Sequence, residues 1–88
     1  MARLIRVQAQ RGYRLTLEFS DGLSGEVDVS ERLFGPVFEP LRDETYFARV
    51  SLDEYGVPCW PNGADLAPDG LYERLRLARA AGAVPPAH

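Results

Sequence analysis

The sequence contains no lysine. Its ten basic residues are all arginines, set against 13 acidic residues for a net charge of −3. The arginines are spread along the chain, with one local group at Arg74, Arg76 and Arg79. Nothing resembles the dense basic footprint of a stand-alone nucleic-acid binder, so direct nucleic-acid binding is not expected. Cysteine occurs once, at Cys59; it cannot form an internal disulfide and suits a reducing cytoplasm. Histidine also occurs once, at His88 near a chain end. That leaves Cys59 without a base, which reads as a small core residue and not a nucleophile. No apolar run approaches the ~20 residues needed to cross a membrane, and no export signal is visible at the N-terminus. Neither glycine-containing hairpin loop leads into a helix with a phosphate-cradling pattern, so no nucleotide or other cofactor is expected.

What remains is an ordinary globular composition, 45% hydrophobic and 26% charged, which argues against wholesale disorder. A chain of 88 residues makes one small domain and buries roughly 60% of its unfolded surface, enough for one core. Strict alternation marks three strands. Ile5, Val7 and Ala9 oppose Arg6 and Gln8. Tyr13, Leu15, Leu17 and Phe19 oppose Arg14, Thr16 and Glu18. Leu23, Val27 and Val29 oppose Ser24, Glu26 and Asp28.

Register follows from keeping apolar residues on one face. A two-residue turn at Asp21 and Gly22 would set Leu17 against Glu26. A three-residue loop of Ser20, Asp21 and Gly22 instead pairs Phe19 with Leu23, Leu17 with Gly25 and Leu15 with Val27. Gly22 then takes the left-handed third position. By the same logic, a Gln10, Arg11 and Gly12 loop pairs Ala9 with Tyr13, Val7 with Leu15 and Ile5 with Leu17. The result is an antiparallel three-stranded meander.

Ser30 reads as the N-cap of a short helical turn through Phe34, ended by Gly35 and Pro36. Residues 36–48 are apolar but aperiodic, with a cap at Asp43, and suggest short turns laid over the apolar face of the sheet. Residues 49–53 alternate again. A four-residue loop, 53–56, would bring Val57 opposite Leu52 and Cys59 opposite Val50, with Pro58 at an edge. From Pro68 the period becomes helical: Leu71, Tyr72, Leu75 and Ala78 share one face, while Glu73, Arg74 and Arg76 point away. Gly82 reads as the stop. The expectation is α+β: a single domain over 1–82, with one C-terminal helix on the sheet and a flexible proline-containing tail over 83–88.

Residues 60–69 are the hinge between the two periodicities. Trp60 reads either as a recognition anchor or as the residue that closes the core while Pro61, Asn62 and Gly63 turn the chain. Asp65 and Asp69, four apart, read either as paired carboxylates or as a helix cap and a dipole partner. A metal site would need further oxygen ligands that the sequence does not mark, so none is expected. Arg74, Arg76 and Arg79 form either a contact face or the solvated side of the helix. An exposed sheet edge can accept a partner's strand.

Four pieces of this chain, in order and spacing, resemble the bacterial domain of unknown function family numbered 2442. They are Leu17-Glu18-Phe19-Ser20-Asp21-Gly22, Gly25-Glu26-Val27-Asp28-Val29, Phe34-Gly35-Pro36-Val37-Phe38-Glu39-Pro40-Leu41, and the most specific, Cys59-Trp60-Pro61-Asn62-Gly63-Ala64-Asp65-Leu66-Ala67-Pro68-Asp69 followed by Leu71-Tyr72. The resemblance covers nearly the whole chain. It implies a small α+β domain without an agreed activity. Members tend to be encoded beside small toxin-like proteins of another uncharacterised family, so the resemblance implies an antitoxin-like role for the members. Some continue into a helix-turn-helix; this sequence shows one helix and a tail, so no DNA-binding role is carried over. The expected function is a non-enzymatic, cytoplasmic protein-binding module, an antitoxin-like partner of a small toxin. The alternative is a transcription-associated accessory module beside a DNA-binding partner. The expected contact residues are Trp60, Asn62, Asp65, Arg74, Arg76 and Arg79; homo-oligomerisation is left open.

Overall fold

The computed structural model describes residues 2–80; the expected helix stop at Gly82, the 83–88 tail and His88 lie outside them. The fold is α+β. Three antiparallel strands, β1 (Leu4–Gln10), β2 (Arg14–Phe19) and β3 (Ser24–Asp28), form a sheet in sequence order. Two 3₁₀ turns (Ser30–Arg32 and Glu39–Arg42) and the one-turn helix α1 (Glu44–Phe47) follow. A second hairpin, β4 (Ser51–Leu52) and β5 (Pro58–Cys59), leads to the helix α2 (Pro68–Ala80).

The β2–β3 register is the expected one, Leu15 with Val27 and Leu17 with Gly25. Phe19 N–H donates to Leu23 O across a loop in which Gly22 sits at φ +93°. The β1–β2 register differs from expectation by two residues: Ala9 pairs with Leu15, Val7 with Leu17 and Gln10 with Arg14. The loop is therefore Arg11, Gly12 and Tyr13, with Tyr13 itself left-handed at φ +59°. A side chain in that region costs about 1–2 kcal/mol. Tyr13 offsets this by packing edge-on against Phe47, 5.6 Å between ring centres, and by donating its hydroxyl to Arg42 O. A bulge between Leu4 and Arg6 then turns the start of β1 over. Leu4 enters the core and Ile5, expected inside, is 53% exposed.

The second hairpin is also one residue tighter than expected. Ser51 pairs with Cys59 and Leu52 with Pro58, so the loop is Glu54, Tyr55 and Gly56. Asp53 explains the tightening: its carboxylate accepts from both Tyr55 N and Val57 N, at 2.8 and 3.0 Å. Pro58 is buried, and its carbonyl accepts from Leu66 N. The first 3₁₀ turn also starts differently. Ser30 does not cap it; the Asp28 carboxylate accepts from Ser30 N at 2.8 Å, and the turn ends before Phe34. Asp43 does cap α1, accepting from Thr45 N at 2.9 Å.

One core joins these parts: Leu4, Leu15, Leu17, Phe19, Val27 and Val29 from the sheet meet Leu33, Leu41, Phe47, Trp60 and Leu66, with Leu71 and Leu75 of α2. Burying Leu71 and Leu75 contributes about 1.5–3 kcal/mol each. The helix can approach because β3 presents a glycine there. A Cβ on Gly25 would stand 2.8 Å from Leu75 Cδ1. Gly25→Ala should therefore destabilise the fold by about 1–3 kcal/mol in urea unfolding. Leu75→Ala combined with it should lose less than the sum of the two single changes.

Candidate functional site

The 60–66 segment is a small hairpin. Trp60 N–H donates to Ala64 O and Gly63 N–H to Trp60 O, at 2.9 and 3.0 Å, with Gly63 at φ +92°. Cys59 and Asp65 form an isolated antiparallel bridge beyond it. Trp60 is 3% exposed, so its ring is not on the surface of this chain. It packs on Phe47, 5.7 Å between ring centres, and its indole Nε1–H donates to Phe47 O at 2.9 Å. Pro61, Asn62 and Gly63 at its tip are exposed, while Ala64 and Leu66 are buried. Asn62 is exposed and uses its amide in both directions: Oδ1 accepts from Ala64 N at 3.1 Å, and Nδ2–H donates to Val37 O at 2.8 Å.

That second bond joins the turn to residues 34–37. Expected to lie over the sheet, Val37 is instead 49% exposed and Phe34 66% exposed, while Phe38 is half-buried against the core. Pro36, Pro61 and Gly63 are exposed too. Two turns tied by one amide thus carry an aromatic, an aliphatic and two prolines into solvent. The signal for this was present in the Gly-Pro pair after Phe34, which forces a turn and holds neighbouring side chains off the sheet.

The arginines of α2 separate into two kinds. Arg76 is exposed and pairs with Glu73 one turn away. Arg74 does not point away as expected: it is half-buried, donates through Nη2 to Asp28 O at 2.8 Å and pairs with Glu31 at 2.9 Å. Arg79 donates through Nη1 to Ser24 O at 2.8 Å. Two of the three are therefore engaged with β3. Asp65 is exposed, and among the described residues its carboxylate makes no hydrogen bond, so the capping role considered for it is not seen. Asp69 is exposed in the first turn of α2. Cys59 is half-buried, with its Sγ 4.0 Å from Ser51 Oγ.

Three aspartates have carboxyl groups held below the ordinary value of 3.8. Asp21 accepts the Tyr72 hydroxyl at 2.5 Å, then Leu23 N; Asp28 is held by Ser30 and Asp43 by Thr45. Asp28 and Asp43 are turn or cap anchors with local partners, while Asp21 also ties its hairpin loop to Tyr72 of α2. Among the described residues no group of three or more His, Cys, Asp or Glu side chains could hold a metal ion, and no helix is long and apolar enough to cross a membrane.

Residues 4–76 match the model of a family described as Protein of unknown function (DUF2442), and the chain belongs to that family. No curated protein and no solved structure matches it significantly.

Trp60→Phe keeps an aromatic in the core but removes the shorter of the two donors to Phe47 O, leaving only Val50 N at 3.3 Å; it should cost about 1–3 kcal/mol in urea unfolding. Acid should also weaken the fold. Carboxyls whose folded values are lowered add stability above their unfolded value and lose it as pH falls through the folded one. Thermal midpoints should therefore drop as pH passes below 3.8. Asp43→Asn should have a flatter acid limb than the wild type.

Proposed function

We propose that this member of the DUF2442 family is a non-enzymatic protein-binding module of the cytoplasm, acting as an antitoxin-like partner of a small protein. One observation carries the reading: Phe34 and Val37 are exposed on a turn that is fixed in place by Asn62. An exposed aromatic beside an aliphatic and two prolines costs little ordering entropy on association when its loop is already held. Aromatic anchors of this kind dominate interface energies. The antitoxin-like role comes from the family resemblance carried by the 34–41 and 59–69 motifs. Their buried members, such as Leu41 and Trp60, are accounted for by the core; Phe34, Val37 and Asn62 are left for contact.

The contact set differs from the one first drawn from the sequence. Asn62 stays as the tie between the turns, Trp60 supports from beneath, and Arg76 is the exposed arginine of the original group whose contacts stay within its own helix. A tagged chain recovered from its own host should bring down a small protein in a fixed ratio. Phe34→Ala and Val37→Ser should release it by about tenfold or more while leaving the thermal midpoint within a few degrees. A folded bait that enriches nothing, or captures equally well with both changes, would remove the reading.

A further inference from the structure

The chain contains a single asparagine, Asn62, and a glycine follows it. Its other side-chain amides are Gln8 and Gln10, and neither precedes a glycine. An asparagine ahead of glycine is chemically labile. The next backbone nitrogen can close a five-membered ring on Cγ, and glycine has no Cβ to hinder the closure. The turn itself demands this pairing, because Gly63 sits at φ +92°, where any side chain would be strained. Both residues are exposed, so water reaches them. The geometry that ties the 34–37 and 61–63 turns together thus puts the one labile amide of the chain at the tie.

In the folded turn both the nucleophile and the leaving group are engaged. Gly63 N–H donates to Trp60 O at 3.0 Å, and Asn62 Nδ2–H donates to Val37 O at 2.8 Å. Neither carbonyl is a base, and each bond must break before its nitrogen can react. Ala64 N–H acts in the other direction. It stands 3.1 Å from Asn62 Oδ1 and polarises the Cγ carbonyl as attack requires. The carbon is primed while the two nitrogens are held back. Exposed loop bonds of this kind open at low free energy, and opening releases both nitrogens at once.

We propose that Asn62 is a modification site at which the chain hydrolyses its own side-chain amide, with water as the co-reactant. When the turns open, Gly63 N gives its proton to solvent and its lone pair forms a bond to Cγ. The Cγ–Nδ2 bond breaks, and the nitrogen takes up a proton and leaves as ammonia. Water then opens the succinimide at either carbonyl, leaving aspartate or isoaspartate. One water enters, one ammonia leaves, and nothing is oxidised or reduced. In the aspartate product the carboxylate still accepts from Ala64 N, but it cannot donate to Val37 O, and two acceptors face each other. The 61–63 turn keeps its own bonds, and the 34–37 turn loses its tie. The consequence rests on the protein-binding reading: hydrolysis ends the fixed presentation of Phe34 and Val37.

The test follows the full chain in mildly alkaline buffer by intact mass and by released ammonia. The folded chain should gain the mass of an amide-to-acid exchange, with one ammonia per chain and the change mapped to residue 62. The same chain unfolded in urea should convert about tenfold faster, because no turn has to open there. In urea, where no fold is needed, Gly63→Ala should convert severalfold more slowly than the wild type. Asn62→Asp, made directly, should speed hydrogen exchange at Phe38 and Glu39, whose N–H groups close their turn on Gly35 O. Its Trp60 indole resonance should stay in place. Folded conversion as fast as in urea, or none once the unfolded chain has fully converted, would each overturn the proposal. So would equal rates for Gly63→Ala and wild type in urea, or unchanged exchange at Phe38 and Glu39. All of these are read on the isolated chain, so a bait that captures no partner, the failure of the binding reading, is seen separately. Asn62→Asp should release a captured partner as Phe34→Ala does; retention with the turn released would overturn the consequence drawn for the contact surface.

Discussion

The hydrogen bond from the Trp60 indole to Phe47 O ties the two halves of this domain together. Trp60 sits at the corner of the 60–66 hairpin, Phe47 ends α1, and the ring of Phe47 in turn packs on Tyr13 in the first loop of the sheet. The carbonyl at the end of this one-turn helix receives only a long backbone bond, from Val50 N at 3.3 Å, and the indole adds the shorter one at 2.9 Å. Tryptophan provides that donor and a large apolar surface together. Tyr13 can then hold a left-handed backbone, and α1 is fixed over the end of the sheet.

The parts legible in the sequence are those governed by burial of one strand face. For β2 and β3, a slip of one residue would turn Leu15, Leu17 and Val27 outward, so the pattern admitted one register. For β1 and β2 it admitted two. A slip of two residues keeps every side chain on its face, and the choice fell to Tyr13 entering the loop, which depends on Phe47 and Arg42 far along the chain. The bulge that exposes Ile5 and the tight loop held by the Asp53 carboxylate are likewise local hydrogen-bonding arrangements, which leave no period in the sequence. Arg74 was placed in solvent because amphipathic reasoning counts charge; its long arm lets it lie half-buried and reach the edge of β3. The exposure of Phe34 runs against hydrophobic patterning, and departures of that kind concentrate at sites kept for contact.

Arginines serve two purposes around the sheet. Arginines close the β3 edge by occupying its outward carbonyls, a use of long cationic side chains that blunts strand-to-strand association. On the solvated sheet face, Arg6 with Glu18 and Arg14 with Glu26 pair across strands at 3.5 and 3.2 Å. Such exposed pairs contribute under about 1 kcal/mol each and serve solubility more than stability. Large apolar side chains are exposed at several places, Ile5, Tyr55 and Leu77 among them; Phe34 and Val37 are the pair held on a turn that a side-chain amide ties down.

The central claim is that Trp60 supports the contact surface from inside and is not part of it. Because the chain has one tryptophan, acrylamide quenching of its fluorescence tests this directly, with the free chain compared with the chain bound to its captured partner. The account predicts blue-shifted emission that acrylamide scarcely quenches, unchanged on binding. Ready quenching in the free chain, lost when the partner binds, would place Trp60 in the interface and contradict it.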